Sequence, residues 1–118
     1  MSRSIVQKTD EKECYFCRAL DCLETGGLSD LRREDNERHH IFFGYSSKDR
    51  DNSEKYGLWV YLCPYHHRIA PESVHKSKAT CRLLHRIGQK AFEDLYGHEK
   101  FMEIFKENYI MDNEGGDE

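Results

Sequence analysis

The stretch Glu37-Arg38-His39-His40-Ile41-Phe42-Phe43-Gly44, taken together with Leu58-Trp59-Val60-Tyr61-Leu62-Cys63-Pro64-Tyr65-His66-His67, decides the fold that we predict for this chain. Both segments combine β-branched and aromatic residues, and the segment between them, Ser46 to Lys55, is rich in Ser, Asp and Asn. This pattern predicts two antiparallel strands, His40 to Tyr45 and Leu58 to Leu62, joined by a polar loop. A two-stranded ribbon is not stable alone, so it must pack against a metal site or a helix.

The composition indicates one small domain with little apolar material for a core. The chain has 118 residues, of which 37% are hydrophobic and 34% are charged, and small domains of this kind usually need a metal or disulfides. Five cysteines is an odd number and no charged-then-apolar leader begins the chain. These features predict a reduced, soluble, cytoplasmic protein that binds metal, without a disulfide framework or a membrane span.

Two pairs of residues have the spacing of zinc ligands. Cys14 and Cys17 form one pair, and Cys63 and His66 form the other, each with two residues between the ligands. Structural zinc sites commonly collect two such pairs from separate places in a chain, so we predict a structural Zn²⁺ bound by these four residues. Cys22 is an alternative ligand, and the simpler alternative is that the cysteines are buried apolar residues.

The rest of the chain predicts helices with a polar segment at each end. A loose arm is expected over residues 1–13, a single domain over 14–110 and a disordered acidic tail over 111–118. Apolar residues three and four apart predict an amphipathic helix from about Ala79 to Tyr96 that ends at Gly97, and Phe101 to Phe105 predicts a last short helix. The segment Ser29 to Asn36 fits either a brief helix or a solvated connection.

One face of the long predicted helix is basic. Four basic residues recur every four positions, namely Lys78, Arg82, Arg86 and Lys90, although the net charge of the whole chain is −4. Such a face is either a solvated helix surface or a surface that follows a phosphate backbone without reading its sequence. The nucleic-acid partner that we expect for this face is DNA.

Four histidines remain after the predicted zinc site: His39, His40, His67 and His75. Neighbouring side chains in a strand point to opposite faces, so His39 and His40 cannot share one role, and one can bind a metal while the other faces a water molecule. A neutral imidazole can accept a proton at physiological pH, and a divalent ion can neutralise charge on a phosphate. These parts fit phosphodiester hydrolysis.

At this point the sequence resembles a known family. Cys14-x-x-Cys17, His39-His40 and Leu62-Cys63-Pro64-x-His66-His67 resemble the zinc-containing branch of the HNH endonucleases, also called ββα-metal endonucleases. The segments Glu54-Lys55-Tyr56-Gly57-Leu58-Trp59-Val60 and Ser73-Val74-His75 are similar to those of small phage and prophage proteins of that group. The resemblance covers roughly residues 14–110. It implies an α+β fold, a small zinc-stapled ββα-metal (HNH or treble-clef-like) domain with C-terminal helices.

The resemblance also implies roles for single residues. His40 would be the general base, His39 and His67 would be ligands of a catalytic ion, and His75 is a candidate for a further ligand. The family's middle asparagine falls at Leu58 here, and Asn52 in the predicted loop is the candidate that takes over its role of holding the loop of the base. His66 stands where a cysteine is commoner.

We therefore expect a metal-dependent HNH-type endonuclease that hydrolyses DNA, encoded by a phage or prophage and acting in the cytoplasm of a bacterial host. Its cofactors would be a structural Zn²⁺ and a catalytic Mg²⁺ or other divalent ion. The alternative is a non-catalytic zinc module of the same fold that binds nucleic acid or a host protein through the basic helix. A further alternative is a modulator that acts on a host or phage protein in defence or recombination.

Overall fold

The computed structural model describes residues 3–7, 12–43 and 47–110 of the chain. The predicted acidic tail, 111–118, and part of the predicted N-terminal arm, residues 1, 2 and 8–11, lie outside the described residues. Within the described part, the elements follow the order α1 (Tyr15–Thr25), β1 (Glu37–His40), α2 (Ser47–Lys55), β2 (Trp59–Leu62), a π-helical segment (Tyr65–Ile69), α3 (Lys78–Tyr96) and α4 (His98–Phe105). The chain is thus a small α+β protein with one two-stranded sheet, which confirms the predicted class in this coarse form.

The sheet sets the positions of both histidine-bearing segments. Strands β1 and β2 are antiparallel, with Glu37 opposite Leu62 and His40 opposite Trp59. The ladder is extended by Ile41, whose backbone N–H donates to the Leu58 carbonyl at 2.9 Å. Because β2 runs directly into Cys63 and the π-helical segment, the register fixes how β1 lies relative to the residues that follow β2.

Strand β1 begins and ends earlier than predicted. It covers Glu37–His40, whereas the sequence predicted a strand from His40 to Tyr45, of which Gly44 and Tyr45 lie outside the described residues. The Ser53 hydroxyl accepts from the Phe42 N–H at 3.0 Å and donates to the Phe42 carbonyl at 2.8 Å. Since both backbone groups of Phe42 are bonded to a side chain, that residue cannot continue the ladder, and it turns into the core.

Helix α2 replaces the loop that the sequence predicted between the strands. Ser47–Lys55 contains no apolar residue, so it has no hydrophobic period by which a helix could be predicted. Asp49 in the first turn and Lys55 in the last turn both suit the helix dipole. The helix is joined to the end of β1 through Ser53, which is fully buried.

The core lies between the sheet and the two C-terminal helices. Phe42 is at its centre and has its ring centroid 4.7 Å from that of Phe105 and 5.4 Å from that of Phe101. Helix α3 ends at Gly97 as predicted, but its buried residues are Leu84, Gly88, Gln89 and Phe92, while Leu83 and Leu95 of the predicted apolar face are exposed. Among the described residues, none of the helices has both the length and the apolar character that spanning a membrane requires.

Residues 3–7 follow the outer edge of β2 instead of forming the loose arm that was predicted. The Ile5 N–H donates to the Gly57 carbonyl at 2.8 Å, and the Ser4 hydroxyl donates to the Trp59 carbonyl at 2.6 Å. The Gln7 side chain accepts from the Tyr61 N–H and donates to the Glu13 carbonyl. Gly57 has φ +74°, and a Cβ there would lie 2.1 Å from the Arg3 carbonyl oxygen, so only glycine allows this approach.

The segment between α1 and β1 is a connection without a helix. Of the two structures that Ser29 to Asn36 allowed, the chain adopts the second, and Arg32 forms an isolated antiparallel bridge with Glu13. The Arg33 N–H donates to the Lys12 carbonyl at 3.0 Å. Helix α1 itself ends at Gly26, which has φ 79°, and the pair Gly26-Gly27 in the sequence predicted a turn or a helix end at this place.

Candidate metal centres

The four predicted zinc ligands lie at one point. The Sγ atoms of Cys14, Cys17 and Cys63 and a ring nitrogen of His66 all lie within 4.8 Å of one another. The His66 Nδ1 is 3.5 Å from the sulfurs of Cys14 and Cys17 and 3.3 Å from that of Cys63, and the Cys17 and Cys63 sulfurs are 3.9 Å apart. We call this group the sulfur site.

These separations fit a tetrahedral metal ion. Zinc bonds of about 2.3 Å to sulfur and about 2.0 Å to nitrogen in a tetrahedron separate two sulfurs by about 3.8 Å and a sulfur from a nitrogen by about 3.6 Å. The distances in the sulfur site lie within a few tenths of an ångström of these values. The four residues therefore could hold one metal ion, as the sequence predicted.

The pKa shifts of the ligands in the sulfur site also favour the binding of a cation. Burial, followed by the neighbouring thiol of Cys14, raises the pKa of the Cys17 thiol to about 12. Burial likewise raises the pKa of Cys14 and lowers that of His66. Three crowded thiols cannot ionise together without a positive charge among them, and a bound metal supplies that charge and deprotonates its thiol ligands.

The local backbone structure places these four ligand side chains near one point. Cys14 is the N-cap of α1, and its sulfur accepts from the Cys17 N–H at 3.5 Å, which brings both sulfurs to the same end of the helix. At the other pair, the His67 N–H donates to the Cys63 carbonyl at 2.9 Å at the start of the π-helical segment. The sulfur site thus joins α1 to the end of β2.

A second cluster consists of His39, His67 and His75, each of which offers one ring nitrogen within 4.8 Å of the others. The Nε2 atoms of His67 and His75 are 3.1 Å apart, and the ring centroid of His39 is 5.2 Å from that of His67 and 5.4 Å from that of His75. Zinc bonded to two imidazoles in a tetrahedron separates their nitrogens by about 3.3 Å. We call this group the three-histidine site.

His39 gives the clearest sign that this site binds a cation. Its Nε2 is buried and, among the described residues, has no hydrogen-bond partner. Burial, followed by the neighbouring His67 and His75, lowers the pKa of His39 to about 3, so the imidazole stays neutral. A buried polar atom without a partner is costly, and a metal ion between the three rings would remove that cost.

The ring of His67 is held by a carboxylate on its far side. His67 Nδ1 donates to Glu37 Oε1 at 2.5 Å, and Arg68 donates to the same oxygen at 2.9 Å. The hydrogen bond from His67, followed by Arg68, lowers the pKa of the Glu37 carboxyl. Because Nδ1 carries the proton, the lone pair of His67 is on Nε2, which faces His75. Metal-binding histidines are commonly oriented in this way by a carboxylate.

The three-histidine site is open on one side. His39 and His67 are buried, whereas His75 is exposed. Its loop is tied back to the π-helical segment, since the His75 N–H donates to the His67 carbonyl at 3.2 Å and the Val74 N–H donates to the His66 carbonyl at 3.0 Å. Within the described ranges the cluster has three protein ligands. Catalytic zinc sites typically have three protein ligands and an open position, whereas structural sites have four ligands.

His40 does not belong to the three-histidine site, in agreement with the separate roles that strand alternation predicted for His39 and His40. Its Nε2 donates to Glu54 Oε1 at 2.9 Å, and the other oxygen of Glu54 accepts from Arg38. The predicted loop-holding residue, Asn52, lies in α2 and makes no side-chain hydrogen bond to any described residue. The contacts that hold the segment after His40 come from Ser53, its neighbour, which the sequence analysis missed.

The remaining residues for which the sequence suggested a role lie on the surface or in the core. Lys78, Arg82 and Lys90 are exposed on α3 and Arg86 is partly exposed, and within the described chain none of these four forms a salt bridge. Cys22 is exposed and outside the sulfur site, which is contrary to both roles considered for it. The sequence predicted that His85 and His98 are helix-surface residues. His98 is a surface residue beside Glu93, but His85 is stacked on Phe42 with ring centroids 5.1 Å apart.

Comparisons of the chain with protein-family models, with curated proteins and with solved structures find no match to it. The resemblance to HNH endonucleases therefore stays a prediction. The function proposed for the chain therefore rests on the chemistry of the two sites.

Proposed function

We propose that the protein is a metal-dependent endonuclease of the HNH type that hydrolyses phosphodiester bonds in DNA. The observation that carries this proposal is the three-histidine site, where His39 has a buried ring nitrogen without a partner among the described residues and lies beside two further imidazoles, one of them exposed. A separate, closed sulfur site would hold zinc for structure alone.

The order of the elements supports the ββα-metal version of this fold. Two antiparallel strands are followed by a helical segment, and the ligands come from the first strand, from that segment and from the loop after it. Leu58, at the position of the family's usual asparagine, is fully buried in the core. We propose that Ser53 does the structural work of that asparagine by fixing the chain after β1.

The ligand set favours a transition metal as the catalytic ion. Three imidazoles suit zinc or nickel better than Mg²⁺, which prefers oxygen ligands and keeps its waters. Within the predicted range of Mg²⁺ or another divalent ion, we therefore expect the latter. When bound, the ion would neutralise negative charge on the phosphate and on the leaving oxygen.

The side chains of the protein would supply the remaining chemistry. His67 is kept in one orientation by Glu37, and His39 is kept neutral by burial, so both are ready to bind the ion. His40, which is partly exposed, is our candidate for the general base that takes a proton from the attacking water. Its imidazole is near enough to His39 to contribute to the lowered pKa of that residue.

The basic face of α3 is the proposed DNA-binding surface. Lys78, Arg82 and Lys90 are exposed, and Lys78 follows the loop of the ligand His75 by only a few residues. Contacts of lysine and arginine with phosphate oxygens hold DNA irrespective of its sequence. The surface would thus bring the backbone of DNA to the open side of the three-histidine site.

A nicking assay on supercoiled plasmid DNA tests the proposal. Purified protein is loaded with zinc, manganese or magnesium, and His39→Ala and His40→Ala are compared with the parent and with His98→Ala, a surface control. We expect His98→Ala to match the parent and His40→Ala to lose at least about 100-fold in rate, which is the usual contribution of a general base. His39→Ala should lose activity because it removes a ligand of the ion. No nicking by the parent with any of the ions would overturn the proposal.

A second candidate is a zinc module that binds nucleic acid or a host protein without cleaving anything. It is favoured by one observation: Leu58, at the position of the family's usual asparagine, is fully buried in the core and has no polar side-chain group. The two functions differ in a simple measurement. A binder would retain plasmid DNA in a manner that weakens with salt, yet leave it supercoiled with every metal ion.

A further inference from the structure

Glu54 bridges two residues of strand β1 that point to the same region. Its Oε1 accepts from His40 Nε2 at 2.9 Å and its Oε2 accepts from Arg38 Nη1 at 2.6 Å. Partial burial acts to raise the pKa of this carboxyl, but the hydrogen bonds from His40 and Arg38 outweigh that effect and lower it. The carboxylate is therefore ionised and occupied on both oxygens.

Arg38 is itself fixed by an aromatic ring. Its guanidinium carbon lies 3.8 Å from the ring centroid of Trp59, which is 6% exposed and lies opposite His40 in the sheet. A guanidinium over a tryptophan face is held by a cation–π interaction. Trp59, Arg38, Glu54 and His40 thus form a continuous series of contacts in which each side chain restricts the next.

The backbone next to Glu54 is restrained as well. Ser53, the preceding residue, is bonded through its hydroxyl to both backbone groups of Phe42, two residues after His40. Helix α2 therefore cannot move relative to the end of β1 without breaking those bonds. The carboxylate stays at a fixed place relative to the His40 ring.

This arrangement orients the His40 imidazole. An ionised carboxylate can only accept, so His40 Nε2 carries a proton, and in the neutral ring the lone pair is then on Nδ1. The side chain of His40 is 24% exposed, so water can reach the ring. A histidine whose far nitrogen donates to a carboxylate is held in one tautomer and one orientation, which is what a general base needs.

We propose that Glu54 is a positioning residue for His40, and that it acts by holding the imidazole so that Nδ1 accepts a proton from the attacking water. Arg38 supports it by fixing the second carboxylate oxygen. The inference rests on the proposed endonuclease function, because it assigns Glu54 to the base of that reaction. A surface ion pair without this role would affect stability alone.

A double-mutant cycle on plasmid or oligonucleotide cleavage tests the inference. Glu54→Ala should lower kcat by about 10 to 100-fold, the usual effect of removing a residue that orients a catalytic group, while KM and the metal content stay as in the parent. Combined with His40→Ala, it should cause no further loss, because Glu54 acts only through His40. Glu103→Ala, which removes an exposed acid on α4, serves as the control and should be neutral.

Two results would overturn the inference. One is a kcat of Glu54→Ala equal to that of the parent, and the other is a loss in the double variant that multiplies the two single losses. If Glu54→Ala fails to fold, Glu54→Gln takes its place: the neutral amide oxygen accepts a weaker hydrogen bond from His40 than the carboxylate does, so kcat should still fall. If the parent itself cleaves no DNA, the endonuclease proposal falls and this inference with it, whereas the first two results leave that proposal intact.

Discussion

At the scale of single residues, the two clusters differ in what their surroundings do to the ligands. In the sulfur site, burial and the neighbouring thiols raise the pKa of Cys14 and Cys17, so a cation is needed before these thiols ionise. In the three-histidine site, burial keeps His39 neutral and leaves its Nε2 without a partner. Both sets of side chains are therefore suited to binding a positively charged ion.

His85 gives a pH dependence that does not involve either metal centre directly. Burial between Phe42 and Tyr109 lowers the pKa of His85 to about 4, and its hydrogen bond with the Ile41 backbone opposes that shift only in part. In the unfolded chain the pKa returns to about 6.5. Between those two values the unfolded state binds a proton that the folded state does not, so stability falls as pH falls from about 6.5 to about 4.

We therefore predict that His85→Gln flattens the acid side of the stability curve. The parent should lose up to about 1.4 kcal/mol per pH unit more than the variant across that window. Urea unfolding of both proteins at a series of pH values, with metal present, measures the difference. The metal ligands titrate in both proteins, so their contribution cancels in the difference between the two stabilities. Stability curves that run parallel for parent and variant would contradict the lowered pKa of His85.

At the scale of elements, the close approach of α3 to the end of β1 holds the domain together. Gly88 is buried in α3, and a Cβ at this position would lie 3.0 Å from Ile41 Cγ2 and 3.2 Å from Phe42 Cε2. Those two residues follow directly on His39 and His40, so this packing also determines where the histidine pair sits. The helix can approach only because residue 88 has no side chain.

Gly88→Ala should therefore destabilise the protein although alanine favours helices. The gain in helix propensity is about 1 kcal/mol, and forcing an extra methyl group into a full core typically costs about 1 to 3 kcal/mol. We expect a net loss of roughly 1 kcal/mol in the free energy of unfolding. Denaturant titration measures it beside Lys90→Ala, an exposed control on the same helix that should change stability by less than about 0.5 kcal/mol. An increase in stability for Gly88→Ala would contradict the packing described.

The elements also mark the limit of what the sequence could predict. Ligand spacing predicted the sulfur site, and the alternation of strand side chains correctly separated His39 from His40, because both depend on local geometry. Helix α2 was missed because it contains no apolar residue, and its roles depend on Ser53 and Glu54 contacting residues more than ten positions away. The path of residues 3–7 along β2 likewise depends on Gly57, far along the chain.

At the scale of the whole molecule, one short segment connects the two sites. His66 belongs to the sulfur site and His67 to the three-histidine site, and both lie on the π-helical segment Tyr65–Ile69. The sulfur site also fixes α1 against the end of β2. In a domain this small, a metal contributes a large part of the stability, so loss of the sulfur-site ion should disorder both centres.

We predict that Cys63→Ser removes the cooperative thermal transition, or lowers its midpoint by more than about 10 °C. The matched control is Cys22→Ser, which changes an exposed cysteine outside the cluster and should leave the midpoint within about 2 °C. Calorimetry with and without a strong chelator completes the comparison, since the chelator should reproduce the effect of Cys63→Ser on the parent. Equal midpoints for the two variants would mean that the sulfur site does not hold the fold.

The proposed function requires that the chain bind two metal ions at different places. Anomalous scattering from crystals of the protein grown with zinc tests it directly. We predict two peaks per chain, one among Cys14, Cys17, Cys63 and His66 and one among His39, His67 and His75, with only the second lost in His39→Ala. A single peak at the sulfur site, with the three imidazoles of the parent free of metal, would contradict the claim and with it the proposed catalysis.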